Sequence, residues 1–208
     1  MKNIEKGKAV LKRIFDFLMS LIAIIILSPV ILIVALAVKF TSPGPILFKQ
    51  RRIGKDNVEF EIYKFRTMRI DTPNVPTHLL ENPEQWITPV GKFLRKTSLD
   101  ELPQLFNILK GEMSIVGPRP ALYNQIDLKE MRTEAGVHKL VPGLTGWAQI
   151  NGRDEIPLSL KVKLDKEYLE RKNFFFDIKI IFMTVLSVLK SEGVQEGKNE
   201  NNNESLVA

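Results

Sequence analysis

The chain has 208 residues, 30 of them Lys or Arg and 24 Asp or Glu, which gives a formal net charge of +6 at pH 7. A chain of this length buries a full hydrophobic core, and with 44% apolar residues it is too apolar to be a disordered protein. It contains no cysteine and only two histidines, which excludes a disulfide framework, a thiol nucleophile and a metal site rich in cysteine or histidine.

The mean hydropathy of −0.04 conceals an uneven distribution of apolar residues. Residues 17–38 form a run of 22 without a charge, which reaches the roughly 20 apolar residues that a helix needs to cross a bilayer. Basic residues flank the run on both sides, at positions 2–13 and 39–55. The segment therefore predicts a membrane helix.

Three interpretations of this helix compete. A cleaved signal peptide has a shorter apolar region, of about 7–15 residues. A spanning helix places one basic flank outside the cell, against the positive-inside preference. A re-entrant helix enters and leaves on one face, and Ser28-Pro29 at the middle of the run is a suitable position for the kink, with Ser28 able to bond the freed backbone. The residues alone leave the spanning and re-entrant forms open.

Short strands and a loop follow the apolar helix. A turn cluster at 41–45 precedes predicted strands at 46–48 and 58–65. Residues 71–89 are polar, contain four prolines and predict a loop that covers a site. Residues 90–96 predict a short helix.

The C-terminal half is predicted to be mainly helical. Ser98 and Glu101 have the S-x-x-E spacing of a capping box, which predicts a helix that ends at Gly111. Further helices are predicted at 121–140 and 158–170, the second with Asp165 and Tyr168 on its surface, and a glycine-rich loop lies between them at 141–153. Residues 174–190 predict an amphipathic interfacial helix, with a buried core helix as the alternative.

The adjacent carboxylates of Asp100 and Glu101 are the most suggestive acidic feature. The capping box and the helix dipole account for both residues without any function. A carboxylate at a helix start beside basic loops also suits a nucleophile or a Mg²⁺ ligand. The residue types leave the two interpretations open.

Four basic residues favour binding of a phosphate, namely Lys64, Arg66, Arg95 and Arg119. The two prolines around Arg119 fix its backbone and so aim its side chain. The sequence has no Walker-type glycine loop, and its basic residues lack the pattern of a nucleic-acid reader, so we expect no nucleic-acid partner.

Three polar positions complete the candidates. Gln149 and Arg153 lie in the glycine-rich loop, where they suit substrate binding. Asp177 is a charge within the apolar 174–190 segment, and its pattern predicts an exposed position paired with Lys172 or Lys179.

Several motifs together resemble the monotopic phosphoglycosyl transferases, also called bacterial sugar transferases, which act on polyprenyl phosphate. They occur in family order at 12–16, 28–29, 48–54, 63–68, 94–111, 113–120, 142–153 and 176–180. Among them are Leu-Arg-Lys-Thr-Ser-Leu-Asp-Glu-Leu-Pro-Gln and Ser-Ile-Val-Gly-Pro-Arg-Pro. The set is specific, although no single motif is.

The resemblance implies a reaction and residue roles. A UDP-sugar gives its sugar-1-phosphate to polyprenyl (undecaprenyl) phosphate, with UMP as the other product. Asp100 is the implied nucleophile, Glu101 its partner in Mg²⁺ binding or acid–base assistance. Lys64, Arg95 and Arg119 are implied to contact phosphate or organise the site, and Asp177 belongs to the family pattern.

The resemblance also implies an α+β architecture and a location. Residues 1–45 are implied to hold a re-entrant membrane helix kinked at Ser28-Pro29. Residues 46–190 are implied to form a compact, mainly helical catalytic domain with a few short strands and interfacial helices. Residues 191–208 are implied to form a disordered tail. The implied location is the bacterial cytoplasmic membrane, with the domain facing the cytoplasm among membrane lipid. A homodimer is compatible with the resemblance. A non-catalytic membrane anchor with a basic face is the alternative function.

Overall fold

The structure is a computed structural model that describes residues 2–73, 82–152 and 156–189. It confirms an α+β protein that is mostly helical, with few strands and one long apolar N-terminal helix. The helices are α1 (Lys2–Thr41), α2 (Pro89–Thr97), α3 (Gln104–Lys110), α4 (Ile126–Glu134), α5 (Trp147–Ile150), α6 (Leu158–Arg171) and α7 (Phe174–Leu189). The strands are β1 (Leu47–Ile53), β2 (Glu59–Phe65), β3 (Ser114–Val116) and β4 (Gly143–Thr145). The predicted tail at 191–208, Arg153 and residues 74–81 of the predicted loop lie outside the described residues.

Helix α1 is long and apolar enough to cross a membrane, by its length and composition, over Ala9–Thr41. Pro29 lies inside it and lacks the N–H that would bond the carbonyl of Ile25, four residues earlier. The Ser28 hydroxyl donates to that same carbonyl oxygen at 2.8 Å. The serine therefore compensates for the hydrogen bond that the proline removes, as the sequence predicts.

Within the described residues, the domain contains two sheets of two strands each. β1 and β2 form an antiparallel hairpin in which Leu47 is opposite Phe65 and Ile53 is opposite Glu59. β3 and β4 pair in parallel, with Ser114 opposite Gly143. The first strand is longer than the predicted 46–48 because pairing with β2 extends it through the basic residues that follow.

The core joins the membrane helix to the domain. Val34 and Val38 of α1 pack with Phe65 of β2 and Leu94 of α2. A second cluster contains Ile62, Leu105, Ile108 and Met113, and the α1 residues Ala23 and Ile24 pack against it. Both halves of α1 thus contact the same domain.

The capping-box prediction at Ser98 is wrong. Ser98 has a φ of 56°, in the left-handed region, and its side chain makes no capping hydrogen bond. A capping serine needs extended backbone angles, but this one ends α2 and turns the chain directly into the 3₁₀ turn Leu99–Glu101. The predicted end of the following helix is confirmed, since Gly111 adopts a φ of 88° after Lys110.

Candidate active site

The 3₁₀ turn Leu99–Glu101 carries the two adjacent carboxylates into the domain. Asp100 is buried, with only 8% of its surface exposed. The tight turn between α2 and α3 places it in the interior, where a charged side chain needs partners. A buried carboxylate in this position marks a candidate functional group.

Glu101 is held by two cations. One carboxylate oxygen, Oε1, accepts hydrogen bonds from Lys64 Nζ at 2.7 Å and from Arg119 Nη2 at 3.1 Å. The glutamate side chain is 18% exposed and that of Lys64 is 17% exposed. Glu101 therefore fixes the positions of two cations beside Asp100.

The cations Lys64 and Arg95 lie on separate elements of the fold. Lys64 lies on β2 opposite Phe48 of β1. Arg95 lies on α2, and its Nε donates to Thr67 Oγ1 at 3.0 Å. Helix α2 approaches that segment closely at Gly91, where a Cβ atom would lie 2.0 Å from the Thr67 carbonyl oxygen. Only glycine allows this approach, which seats α2 and with it Arg95.

Arg119 is positioned through its backbone. Its carbonyl accepts from Arg132 Nη1 at 2.8 Å, and Arg132 is itself locked by a buried ion pair with Asp165, whose Oδ2 lies 2.6 Å from Nη2. Asp165 is 1% exposed, so its predicted surface position on α6 is wrong. The preceding Gly117 N–H donates to the Thr145 carbonyl of β4 at 2.9 Å.

Burial and charge act against each other at the two carboxylates. Burial raises the pKa of Asp100 to about 6, even though Lys64, Arg95 and Arg119 lower it, and Glu101 raises it further. Burial also raises the pKa of Glu101, but Lys64 and Arg119 outweigh it and hold that pKa well below its usual range. Glu101 is thus a fixed anion, while Asp100 is mostly ionised at neutral pH and takes up a proton in mildly acidic solution.

Arg66 has a structural role, and its predicted phosphate contact stays a prediction. Its Nε, Nη1 and Nη2 donate to the carbonyls of Pro45, Pro43 and Ser42 at 2.7, 2.8 and 3.0 Å. The residue is only 6% exposed. It therefore holds the turn that follows α1 through three hydrogen bonds to backbone carbonyls.

Gln149 lies on α5, where its Nε2 donates to the Leu144 carbonyl at 3.1 Å. Its Oε1 is buried and has no hydrogen-bond partner in the part of the chain that the structure describes. Substrate binding by Gln149 and by Arg153 stays a prediction.

Asp177 is buried, which contradicts the predicted exposed position. It is 4% exposed, and its Oδ1 accepts from the Tyr168 hydroxyl at 2.8 Å. Its Oδ2 lies 3.0 Å from Lys12 Nζ, which also pairs with Asp16 at 2.9 Å. The predicted partners Lys172 and Lys179 are thus replaced by a lysine 165 positions earlier.

The rest of this network ties the base of α1 to the domain. Asp16 Oδ2 accepts from the Ser114 hydroxyl of β3 at 2.7 Å, and the Tyr168 hydroxyl also lies 3.2 Å from the Val116 carbonyl. Tyr168 is 4% exposed, so its predicted surface position is wrong as well. The sequence pattern does not identify Lys12, Asp16 and Ser114 as a unit. The available signal was the i, i+4 lysine–aspartate pair at the start of the apolar run.

Replacing Asp177 by Asn is expected to lower stability without weakening substrate binding. The change leaves Lys12 paired with Asp16 alone and replaces the second carboxylate by an amide, and loss of a hydrogen bond to a charged group costs about 1.5–3 kcal/mol. Thermal unfolding in detergent measures the loss. The control is Glu59→Gln, which breaks an exposed pair with Arg51. A raised KM for substrate at unchanged stability would instead support direct contact with substrate.

No three acidic or histidine side chains in residues 2–73, 82–152 and 156–189 are grouped so that they could hold a metal ion. Mg²⁺ does not require such a group, because it is commonly bound by one or two carboxylates together with substrate phosphates and water. Asp100 and Glu101 supply that number of carboxylates. The residues present are compatible with a Mg²⁺ ion that arrives with a diphosphate.

Taken together, the buried carboxylate, the three surrounding cations and the apolar helix suit phosphate chemistry beside a membrane. The comparisons with known proteins agree. Residues 7–191 match the family model described as bacterial sugar transferase. The chain belongs to this family of enzymes.

Named relatives match most of the chain. A UDP-glucose:undecaprenyl-phosphate glucose-1-phosphate transferase of Escherichia coli is 44% identical over 84% of this chain and 39% of its own length. The uncharacterized sugar transferase EpsL of Bacillus subtilis is 43% identical over 90% of this chain and 91% of its own. A UDP-N-acetylgalactosamine-undecaprenyl-phosphate N-acetylgalactosaminephosphotransferase of Aeromonas hydrophila is 37% identical over 90% of this chain and 45% of its own. The chain therefore spans less than half of two of these relatives and nearly all of the third.

Proposed function

We propose that the protein transfers a sugar-1-phosphate from a UDP-sugar to a polyprenyl phosphate through a covalent intermediate on Asp100. The observation that carries the proposal is Asp100 itself, a buried carboxylate that interacts electrostatically with Lys64, Arg95 and Arg119. The names of the E. coli and A. hydrophila relatives, which combine a UDP-sugar with undecaprenyl phosphate, support the two substrate classes.

The reaction has two displacements at one phosphorus atom. A carboxylate oxygen of Asp100 attacks the β-phosphorus of the UDP-sugar, the bond from that phosphorus to the bridging oxygen breaks, and UMP leaves. A phosphate oxygen of the polyprenyl phosphate then attacks the same phosphorus and displaces the carboxylate. The product is a polyprenyl-diphospho-sugar, and the scheme predicts ping-pong kinetics.

In the proposed reaction, the three cations stabilise the transition state and Glu101 positions two of them. Lys64, Arg95 and Arg119 place positive charge around the carboxylate that must meet an anionic diphosphate, and such preorganised charge stabilises the transition state. Glu101 holds Lys64 and Arg119 through one carboxylate oxygen, which keeps both cations in position before substrate arrives.

Asp100 and Glu101 are also the residues that would hold Mg²⁺, which when bound neutralises charge on the diphosphate. Chelation with EDTA is expected to stop UMP release, and added Mg²⁺ to restore it. Undiminished release after chelation would remove the metal from the proposal.

We also propose that α1 is re-entrant, so that both of its ends lie at the cytoplasmic face of the bacterial membrane. The contacts of its two halves support this. Near its start, Arg13 donates to the carbonyls of Ile108 and Leu109 at 2.5 and 2.6 Å. Near its end, Val34 and Val38 pack on the same domain. A polar domain held by both halves favours both ends on one side, and the basic flanks favour the cytoplasmic side.

The direct test of the reaction is a panel of UDP-sugars supplied with undecaprenyl phosphate, with UMP release as the measurement. One sugar nucleotide is expected to give turnover. A non-catalytic membrane anchor would release no UMP with any of them.

Cysteine labelling tests the topology, because the chain contains no cysteine of its own. Val10→Cys and Phe40→Cys place single thiols at exposed positions near the two ends of the apolar segment, and Ile25→Cys places one at its middle. A membrane-impermeant reagent is expected to label the first two from the cytoplasmic side and not the third. Labelling of Val10→Cys and Phe40→Cys from opposite sides would establish a spanning helix.

A further inference from the structure

An apolar groove of about 810 Å³ lies between the second half of α1 and the domain. Its wall on the membrane helix is formed by Ile31 and Ala35, and its opposite walls come from the turn after α1, from β2 and from α3. Phe106 of α3 faces it and is 42% exposed. The groove is thus open along a helix whose composition suits the bilayer.

The groove adjoins the candidate active site through β2. Tyr63 and Phe65 line it, and Lys64 lies between them in the sequence. Because successive side chains of a strand point to opposite faces, Lys64 points away from the groove, toward Glu101. Pro103 also lines the groove and follows Asp100 by three residues. One face of this region is therefore apolar, and the other is the site for phosphate.

The rim of the groove is basic. Lys39 at the end of α1 and Lys110 at the end of α3 both line it and are both exposed. Lys110 donates to the Tyr63 hydroxyl, which holds the lysine at this edge. A positive rim on an apolar groove complements an amphiphile with a long hydrocarbon chain and an anionic head, and attracts it to the opening.

We propose that this groove binds the isoprenoid chain of the polyprenyl phosphate acceptor and so presents its phosphate to the face of β2 that carries Lys64. The assignment rests on the proposed function, because that function supplies the acceptor. A groove along a membrane helix lets the chain enter from the bilayer while the phosphate stays at the headgroup plane. Recognition of the chain then contributes to acceptor affinity and not to the reaction with the UDP-sugar.

The test separates the two half-reactions. Ala35→Phe fills the groove and Phe106→Ala removes part of its wall, while Ile33→Phe adds the same ring at a position of α1 that does not line the groove and is 65% exposed. For each variant, the UMP burst is measured with UDP-sugar alone. The KM is then measured for undecaprenyl phosphate and for the short farnesyl phosphate.

The expected result is an unchanged burst in every variant and a KM for undecaprenyl phosphate that rises about tenfold in Ala35→Phe and Phe106→Ala, but not in Ile33→Phe. The KM for farnesyl phosphate should rise less, so the preference for the long chain falls. Equal KM values in all three variants would overturn the groove assignment while leaving the reaction intact. Absence of a UMP burst in the unsubstituted protein would instead overturn the proposed function. If Ala35→Phe disturbs the fold and loses its burst, Phe106→Ala decides.

Discussion

Replacing Asp100 by Asn is expected to reduce UMP release from the UDP-sugar by at least about a thousandfold, which is the scale of loss when a covalent nucleophile is removed. The amide retains the shape of the carboxyl group but has no anionic oxygen to attack phosphorus. The measurement is the UMP burst in the absence of acceptor, because this step isolates the proposed attack by Asp100. A burst close to that of the unsubstituted protein would show that another group is the nucleophile.

The same substitution is expected to stabilise the fold in neutral and alkaline solution. Burial raises the folded-state pKa of Asp100 from 3.8 to about 6, so the folded protein holds this proton more tightly than the unfolded chain does. The stability associated with the protonated carboxyl is complete below pH 3.8 and is lost as the pH rises through about 6. Asparagine avoids that loss because it does not ionise.

The expected gain for Asp100→Asn is about 3 kcal/mol at pH 8, shrinking toward zero as the pH falls below 4. Unfolding in detergent at pH 5 and pH 8 measures it. The control is Asp71→Asn, a carboxylate on the surface that is paired with Arg69. A variant that is inactive and less stable at pH 8 would indicate that the loss of activity comes from damage to the fold.

The candidate site could be predicted from the sequence to the extent that its residues lie in short motifs. Asp100 and Glu101 are adjacent, and Arg119 lies between two prolines. Both motifs can therefore be recognised from neighbouring residues alone. The structure places Lys64 and Arg119 on Glu101, while Arg95 and Asp100 complete the same charge cluster. The local pattern gave the residue types, but the burial that raises the pKa of Asp100 is a property of the whole fold.

The buried positions of Arg66 and Asp177 have a common physical cause. Arg66 and Asp177 look like free charges in the sequence because their partners are distant or are backbone atoms. Arg66 is bound by carbonyls more than twenty positions away, and Asp177 by Lys12 at the other end of the chain. The periodicity of apolar residues and the spacing within a motif carry no information on such distant partners. The capping-box prediction at Ser98 is wrong for a different reason. The spacing of Ser98 to Glu101 fits a capping box, but the backbone of Ser98 is left-handed.

The presence of the helices was easier to predict than their exact bounds and their positions against one another. Residues 158–170 and 174–190 agree closely with α6 and α7 because apolar periodicity extends over several turns. Residues 121–140 contain only the shorter α4 and a 3₁₀ turn, since charged residues carry little periodic signal. The position of α1 against the domain depends on contacts such as Arg13 with the end of α3, which join residues about 95 positions apart.

Replacing Lys64 by Met and Glu101 by Gln is expected to move the pH dependence of the UMP burst in opposite directions. Lys64 lowers the pKa of Asp100 and Glu101 raises it. Loss of the lysine should therefore shift the acidic limb of the burst rate upward, by about one pH unit or more, and loss of the glutamate charge should shift it downward. The burst is the right measurement because the acceptor's phosphate monoester itself titrates near pH 6.

Both substitutions should also slow the burst at pH 8, where Asp100 is ionised in each protein, because both disturb the charges that meet the diphosphate. For Lys64→Met we expect a loss of about a hundredfold, typical of removing one preorganised group that stabilises transition-state charge. Lys49→Met is the matched control, since Lys49 lies on the same hairpin and its pair with Glu61 at 3.5 Å is about half exposed. It should change neither the rate nor the limb. Limbs that shift in the same direction for Lys64→Met and Glu101→Gln would mean that the titrating group is not Asp100. The pKa of Asp100 must respond with opposite signs, because Lys64 lowers it and Glu101 raises it.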